Sequence, residues 1–183
     1  MPVDNIQSFR FSKDDVLLLD ANIWYSVFGP FPRPIRSGAY TTALQNMRIN
    51  GCRILLDVLV LSEFMNRYAR DLYKYEHDGI PKDNWPKFKE YRDSPEFKPA
   101  AEEIRMWATQ IIHTASGCCN PDFKLDKAKK FIDSYGKHSM DFNDQVIADT
   151  CETNKFSLVT DDGDFKNFKN DIHVLTANTR SFR

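Results

Sequence analysis

The chain has no long hydrophobic run. Its longest apolar stretches, Val16–Leu19 and residues 54–61 with Asp57 inside, fall far short of the roughly 20 apolar residues a membrane helix needs. The N-terminus carries Asp4, Asp14 and Asp15 in place of the basic-then-apolar pattern of a secretory signal, so a cytoplasmic location is expected, with no membrane partner. Charge of either sign is not in excess: 25 Lys plus Arg stand against 26 Asp plus Glu, a net charge of -1. No global basic footprint marks a nucleic-acid partner, and any steering must come from how the charges are distributed. Cysteine is sparse: Cys52, Cys118, Cys119 and Cys151 include no C-x-x-C pair, and no histidines are paired at zinc spacing, which argues against a zinc site. The four thiols are expected to be reduced, and His113, His138 and His173 incidental. Internal repeats and low-complexity segments are also missing.

What is present is the material of one folded domain: 183 residues, 42% hydrophobic and 13% aromatic. Val16–Leu19 is a continuous aliphatic run ending at Asp20, the pattern of a central parallel strand covered on both faces. Asn22 is placed to cap the segment that follows, with Ile23, Trp24 and Phe28 packing beneath it. Gly29, Pro30, Pro32 and Pro34 then mark a loop. Residues 40–49 read as a helix ending at Asn50 and Gly51, and residues 53–56 as a second buried strand. Asp57 suits the N-cap of a helix whose apolar face is Val60, Leu61, Phe64, Met65, Tyr68 and Leu72, with Glu63 in its early turns. Helices are predicted over residues 100–113 and 124–135, the latter basic and amphipathic with Leu125, Ala128, Phe131 and Ile132 on one face. Asp141 is the expected cap of another helix, carrying Val146, Ile147, Thr150 and Cys151 to a stop at Asn154. Strands over 156–160 and 172–176 follow. Residues 1–13, with Phe9 and Phe11 alternating, read as an edge strand or a docked arm. This alternation predicts an α/β sheet with helices on both faces.

Residues 75–99 interrupt the alternation as a polar, proline-punctuated, partly helical insertion. Lysines and aromatics interleave there as Lys82, Trp85, Lys87, Phe88, Lys89, Tyr91 and Arg92. That mixture suits phosphate contact with base stacking, and it equally suits aromatics packing the insertion onto the body while the lysines stay in water. A second basic group, Lys127, Lys129, Lys130, Lys137 and His138, precedes Asp141. Lys87, Lys89, Arg92, Lys129 and Lys130 are the candidate nucleic-acid contacts.

Four acidic positions distant in sequence are predicted to share the carboxyl edge of the sheet, where open α/β sheets place their ligands: Asp20, Glu63, Asp144 and the Asp162 to Asp164 turn. Two carboxylates about 4 Å apart cost on the order of 4 kcal/mol at an effective dielectric near 20, so a fold that gathers several of them calls for a cation. Hard divalent ions take oxygen ligands of this kind. The alternative for any one of them is a helix cap or a solvated turn.

The motifs Leu-Leu-Leu-Asp20-Ala-Asn22, Leu-Ser-Glu63-Phe, Asp141-Phe-Asn-Asp144 and Thr160-Asp-Asp162-Gly-Asp164-Phe165, in that order and spacing, resemble the PIN-domain nucleases. They frame roughly residues 15–176. The resemblance implies a three-layer α/β/α fold with a central parallel sheet of about five strands, and Mg²⁺- or Mn²⁺-dependent hydrolysis of RNA. It implies Asp20, Glu63, Asp144 and Asp162 as the catalytic, metal-binding quartet, with Asp164 as a further ligand and Asn22 and Thr160 in support. VapC-like toxins of this family are encoded with an antitoxin and often dimerise, so a cognate antitoxin and a homodimer are expected partners beside RNA. The insertion makes this chain longer than a compact toxin, and Asp141 and Asp161 compete with their neighbours as ligands. A non-catalytic RNA- or protein-binding module on the same fold is the alternative. A receiver-type phosphotransfer domain would need an acid pair where Asp20 is followed by Ala21, and a lysine where none follows Thr160; an aspartyl phosphatase would need Asp-x-Asp where Asp20-Ala-Asn22 stands.

Overall fold

The computed structural model describes residues 1–31, 34–121, 123–135, 140–168 and 171–182, the side chains of residues 34 and 35 excepted. Lys137 and His138 lie outside the described residues, as does Pro32. Among the described residues, six parallel strands form one sheet in the order β1-β6-β5-β2-β3-β4: β1 (Val3–Asn5), β2 (Val16–Leu19), β3 (Arg53–Asp57), β4 (Gly117–Cys119), β5 (Ser157–Val159) and β6 (His173–Thr176). The helices are α1 (Ala21–Phe28), α2 (Pro34–Ile49), α3 (Val58–Glu76), α4 (Phe88–Arg92), α5 (Phe97–Thr114), α6 (Leu125–Ser134) and α7 (Phe142–Asn154). Packing groups α1, α2, α3 and α5 in one layer, while α6 lies on α7 and α7 on β5. This is what right-handed crossovers require when the chain winds from β2 outward to β4 and returns to β5 on the other side. No helix among the described residues is long and apolar enough to cross a membrane.

The sheet core is the aliphatic run of the sequence. Leu17, Leu18 and Leu19 of β2 are fully buried, as are Leu158 and Val159 of β5 and Val174 and Leu175 of β6, since central parallel strands are covered on both faces. The order reverses direction between β5 and β2, so the crevice at the carboxyl ends of these two strands is the topological switch point of the sheet.

Several expectations are corrected. The sheet has six strands, not about five, because Val3–Asn5 pairs with β6 and Gly117–Cys119 with β3. The edge strand lies before Phe9 and Phe11, which instead pack on each other edge to face. Helix α2 begins at Pro34, six residues early: proline is favoured in a first turn, where its missing N–H leaves no bond unmade. Met65 is exposed, whereas Val60, Phe64, Tyr68 and Leu72 of the same helix are buried. On α6 the expected apolar face is half covered: Phe131 packs on Phe142 of α7, while Leu125 is 83% and Ile132 64% exposed. Asn154 is the last residue of α7, and Lys155 takes the left-handed C-cap at φ 57°. Gly51, at φ 70°, ends the α2 turn in the same region, which glycine enters without strain.

Candidate active site

Asp20 stands one residue beyond β2, its N–H donating to the Val159 carbonyl of β5 at 3.0 Å. This backbone bond across the switch point fixes where its carboxylate emerges. The side chain is buried, and its Oδ2 accepts from Thr160 Oγ1 at 2.7 Å and from Asn22 Nδ2 at 2.6 Å. Asn22 is therefore not the helix cap; Asp20 occupies that position, and Asn22 sits in the first turn of α1 facing back into the site. Its amide links three segments, since Nδ2 also donates to Thr160 Oγ1 at 3.1 Å and Oδ1 accepts from the Asp161 N–H at 3.0 Å. Thr160 Oγ1 in turn accepts from the Asp162 N–H at 3.0 Å. Strand end, helix start and acidic loop are thus tied into one polar network around Asp20.

The loop after β5 turns into a short 3₁₀ segment, Gly163–Asn167, capped by Asp162, whose Oδ1 accepts from the Asp164 N–H at 2.9 Å. Asp144 reaches the same edge from the first turn of α7. It is the returning half of a capping box: Asp144 N donates to Asp141 Oδ1 at 2.9 Å and Asp141 N to Asp144 Oδ2 at 3.2 Å. Glu63, half-buried on α3, faces them from the opposite layer.

These carboxylates act on one another. Burial pushes the Asp20 carboxyl up to about 7 against the opposing Thr160 hydrogen bond, and the charges of Glu63 and Asp162 add to the rise. Asp144 is also pushed up to about 7, first by burial, then by Asp141, with Asp20 and Asp162 contributing. Glu63 is raised by burial and by Asp144 and Asp141, with Arg67 working the other way. Groups buried together at the cost of their own ionisation mark a place where a counter-charge is accommodated. Oxygen donors without imidazole or thiolate suit a hard divalent cation. Asp20, Glu63, Asp144 and Asp162 fit such an ion by donor chemistry. Among the described residues, however, no three carboxylate, imidazole or thiolate groups already converge on a common point. Asp144 and Asp162 each commit an oxygen to a backbone N–H and retain a second one.

Asp161 is engaged away from the edge: its carboxylate pairs with Arg36 Nη1 at 2.5 Å and accepts from Tyr40 Oη at 2.7 Å. Arg36, Tyr40 and Arg67 were not singled out in the sequence. Arg36 and Tyr40 lie more than a hundred residues from Asp161 and carry no local signal, whereas Arg67 follows Glu63 at the i+4 spacing that places both on one helix face. Asp161, Asp162, Arg36 and Arg67 share an open cleft of about 360 Å³ with Asn22 and Tyr25.

The basic candidates are not gathered here by any described contact. In the insertion, Tyr73 packs against Trp85, Phe88 and Tyr91 at centroid distances of 5.2 to 5.4 Å, and Tyr91 against Phe97 at 5.3 Å. The Arg70 and Arg92 guanidiniums lie over the Phe88 ring. The aromatics therefore pack on one another, while Lys87, Lys89 and Arg92 remain exposed. Lys129 and Lys130 are exposed on α6. The four cysteines are free, and His173 bonds Asp4 and Ser157.

A doubly wound parallel sheet with the buried Asp20 at its switch point, in the field of other carboxylates, defines a small α/β domain. The PIN domain family model matches residues 17–171, and the chain belongs to the PIN-domain family. PIN domains are generally nucleases, typically dependent on divalent metals. Among solved structures, VapBC2 from Rickettsia felis, bound to a DNA fragment from its promoter, resembles the chain with a TM-score of 0.50 at 16% identity, covering 88% of this chain and 98% of that one. FitAcB from Neisseria gonorrhoeae gives a TM-score of 0.39 at 18% identity, covering 87% and 96%. Comparison with curated proteins found no match.

Proposed function

We propose that this chain is a divalent-metal-dependent endoribonuclease that hydrolyses RNA phosphodiester bonds at the carboxyl edge, acting in the cytoplasm. The observation that carries the reading is the buried Asp20, held by Thr160 and Asn22 in the field of Glu63 and Asp162. Asp20, Glu63, Asp144 and Asp162 would hold Mg²⁺ or Mn²⁺, with Asp164 as a further ligand. A cation bound there supplies an acidified water and offsets charge on the phosphate. The chain's own part is positional: Thr160 and Asn22 fix the Asp20 carboxylate, the capping box holds Asp144 at the edge, and Glu63, its carboxyl raised by burial, ligates the ion or positions the attacking water. Arg67 tempers that rise. Family membership supports the nuclease class, and the donor set supports the cation.

From its resemblance to VapC-like toxins, the proposal includes a cognate protein antitoxin and a homodimer. The absence of three converging ligands among the described residues favours one other reading, a binding module that holds RNA intact on the same fold. Incubation of a mixed RNA pool with Mg²⁺, Mn²⁺ or EDTA separates the two: metal-dependent cleavage supports the enzyme, and bound but intact RNA in every metal supports the module.

A further inference from the structure

The cleft beside the acidic edge has features that neither the carboxylates nor the fold requires. Phe31, just after α1, is 45% exposed where it lines the cleft, and its ring lies 5.2 Å from that of Tyr75, itself 65% exposed. Several large side chains of this protein are as exposed, Phe123 and Tyr135 among them; what sets Phe31 apart is its place at the rim of this cleft, backed by a second ring. Across the same cleft stand two guanidiniums, each already pinned. Arg36 is held by Asp161 and Asn178, and Arg67 lies 4.1 Å over the Tyr25 ring with its Nε 4.0 Å from Asp71. A guanidinium has five donors in a fixed fork; those contacts use only some of them, so both arginines are oriented in advance for a further acceptor. Gly29 sets the position of Phe31: a Cβ there would stand 2.4 Å from the Tyr25 carbonyl oxygen, so only glycine lets the chain turn this closely over α1.

We infer that this cleft is the subsite for the nucleotide next to the scissile phosphate of a single-stranded RNA, its base stacked on the cleft side of Phe31, which Tyr75 backs, and its phosphate facing Arg36 and Arg67. The inference rests on the nuclease reading and adds to it one nucleotide subsite built from this chain's own residues. A base can lie flat on an aromatic ring only when it is unpaired, so a duplex cannot use the platform. Asn22 and Asp162 line both the cleft and the acidic edge, which places this subsite one step along the strand from the proposed metal ligands. The arginines supply the positive charge that a strand passing so many carboxylates lacks elsewhere in the cleft.

The test is fluorescence anisotropy of a short labelled unstructured RNA and of its duplex, in Mg²⁺, with Asp144→Asn protein so that the strand stays whole. Phe31→Ala and Tyr75→Ala, each added to that background, are expected to weaken single-strand binding by roughly 5- to 150-fold, the range for one stacked base. Phe31→Trp should retain it, and duplex binding should not change. Both side chains are exposed, so thermal melts should match the background. Unaltered binding by Phe31→Ala overturns the inference, and leaves the nuclease reading standing if the Asp144 protein still cleaves. Phe31-dependent binding without cleavage by the Asp144 protein in any metal supports the subsite and removes the nuclease. No binding of either RNA overturns the subsite.

Discussion

Two regions of this molecule concentrate polar and aromatic side chains, and they resolve them in opposite ways. In the insertion between α3 and α5, Trp85, Phe88 and Tyr91 pack with Tyr73 of α3 and Phe97 of α5, the Trp85 indole N–H donates to the Ile80 carbonyl at 2.9 Å, and the lysines stand in water. At the carboxyl edge, Asp20 is buried beside Glu63, Asp144 and Asp162, and two of these carboxyls are pushed up to about 7. One region spends its aromatics on packing against one another, and the other holds carboxylates whose ionisation burial and mutual charge oppose, an arrangement that protons or a cation relieve. A fold keeps such an arrangement where it is used.

The contrast can be broken most forcefully at the edge. Asp20→Asn or Asp144→Asn should reduce RNA cleavage at least about a hundredfold, since even residues that merely support a metal ligand cost 10- to 100-fold when lost; a gel assay in Mg²⁺ reads it. Thr160→Val, which keeps the shape but removes the hydroxyl shared by Asp20, Asn22 and the Asp162 N–H, should fall within that 10- to 100-fold range.

Stability should move the other way. Asp20 and Asp144 have folded-state values near 7 against an ordinary 3.8, so their protonated forms favour the folded protein. Their contribution is complete below about pH 3.8 and is lost as pH rises through 7. The metal-free protein should therefore melt higher at pH 5.5 than at pH 8, and Asp144→Asn should melt higher than the parent at pH 8 by about 1–2 kcal/mol, a Tm gain of roughly 2–8 °C. The gain should shrink as the pH falls, and saturating Mg²⁺ at pH 8 should reverse it. A lower melting temperature for metal-free Asp20→Asn would assign that carboxylate to hydrogen bonding in the fold.

The smallest effects should come from the insertion. Trp85→Ala should lower stability by about 1–3 kcal/mol through lost packing, with the cleavage rate per folded molecule unchanged. Lys87→Ala and Lys89→Ala should leave the rate constant for bound RNA alone and flatten the salt dependence of binding by no more than about 0.7 per lysine.

The sequence made the central elements legible because their apolar patterns are long. The Leu17 to Leu19 run, the four-turn face of α3 and the Asp141 cap of α7 each carry their signal locally, and the position of Asp20 at the carboxyl edge follows once the strands are parallel. The outer strands were not legible. Val-Asp-Asn and Gly-Cys-Cys have no apolar run, and only pairing with β6 and β3 makes them strands. The long-range ties were equally hidden. Nothing near Asn22 shows that its amide bridges Asp20 to the loop after β5 rather than capping α1, and nothing near Arg36 or Tyr40 shows that they hold Asp161 away from the edge.

The most direct measurement is cleavage of a mixed pool of single-stranded and structured RNA by the native protein in Mg²⁺, Mn²⁺ or EDTA, beside Asp144→Asn. Cleavage that requires the divalent ion and disappears in the variant is the predicted result. RNA left intact by the native protein in every metal, or cleavage that persists in EDTA or in Asp144→Asn, would contradict a metal-dependent nuclease centred on this edge.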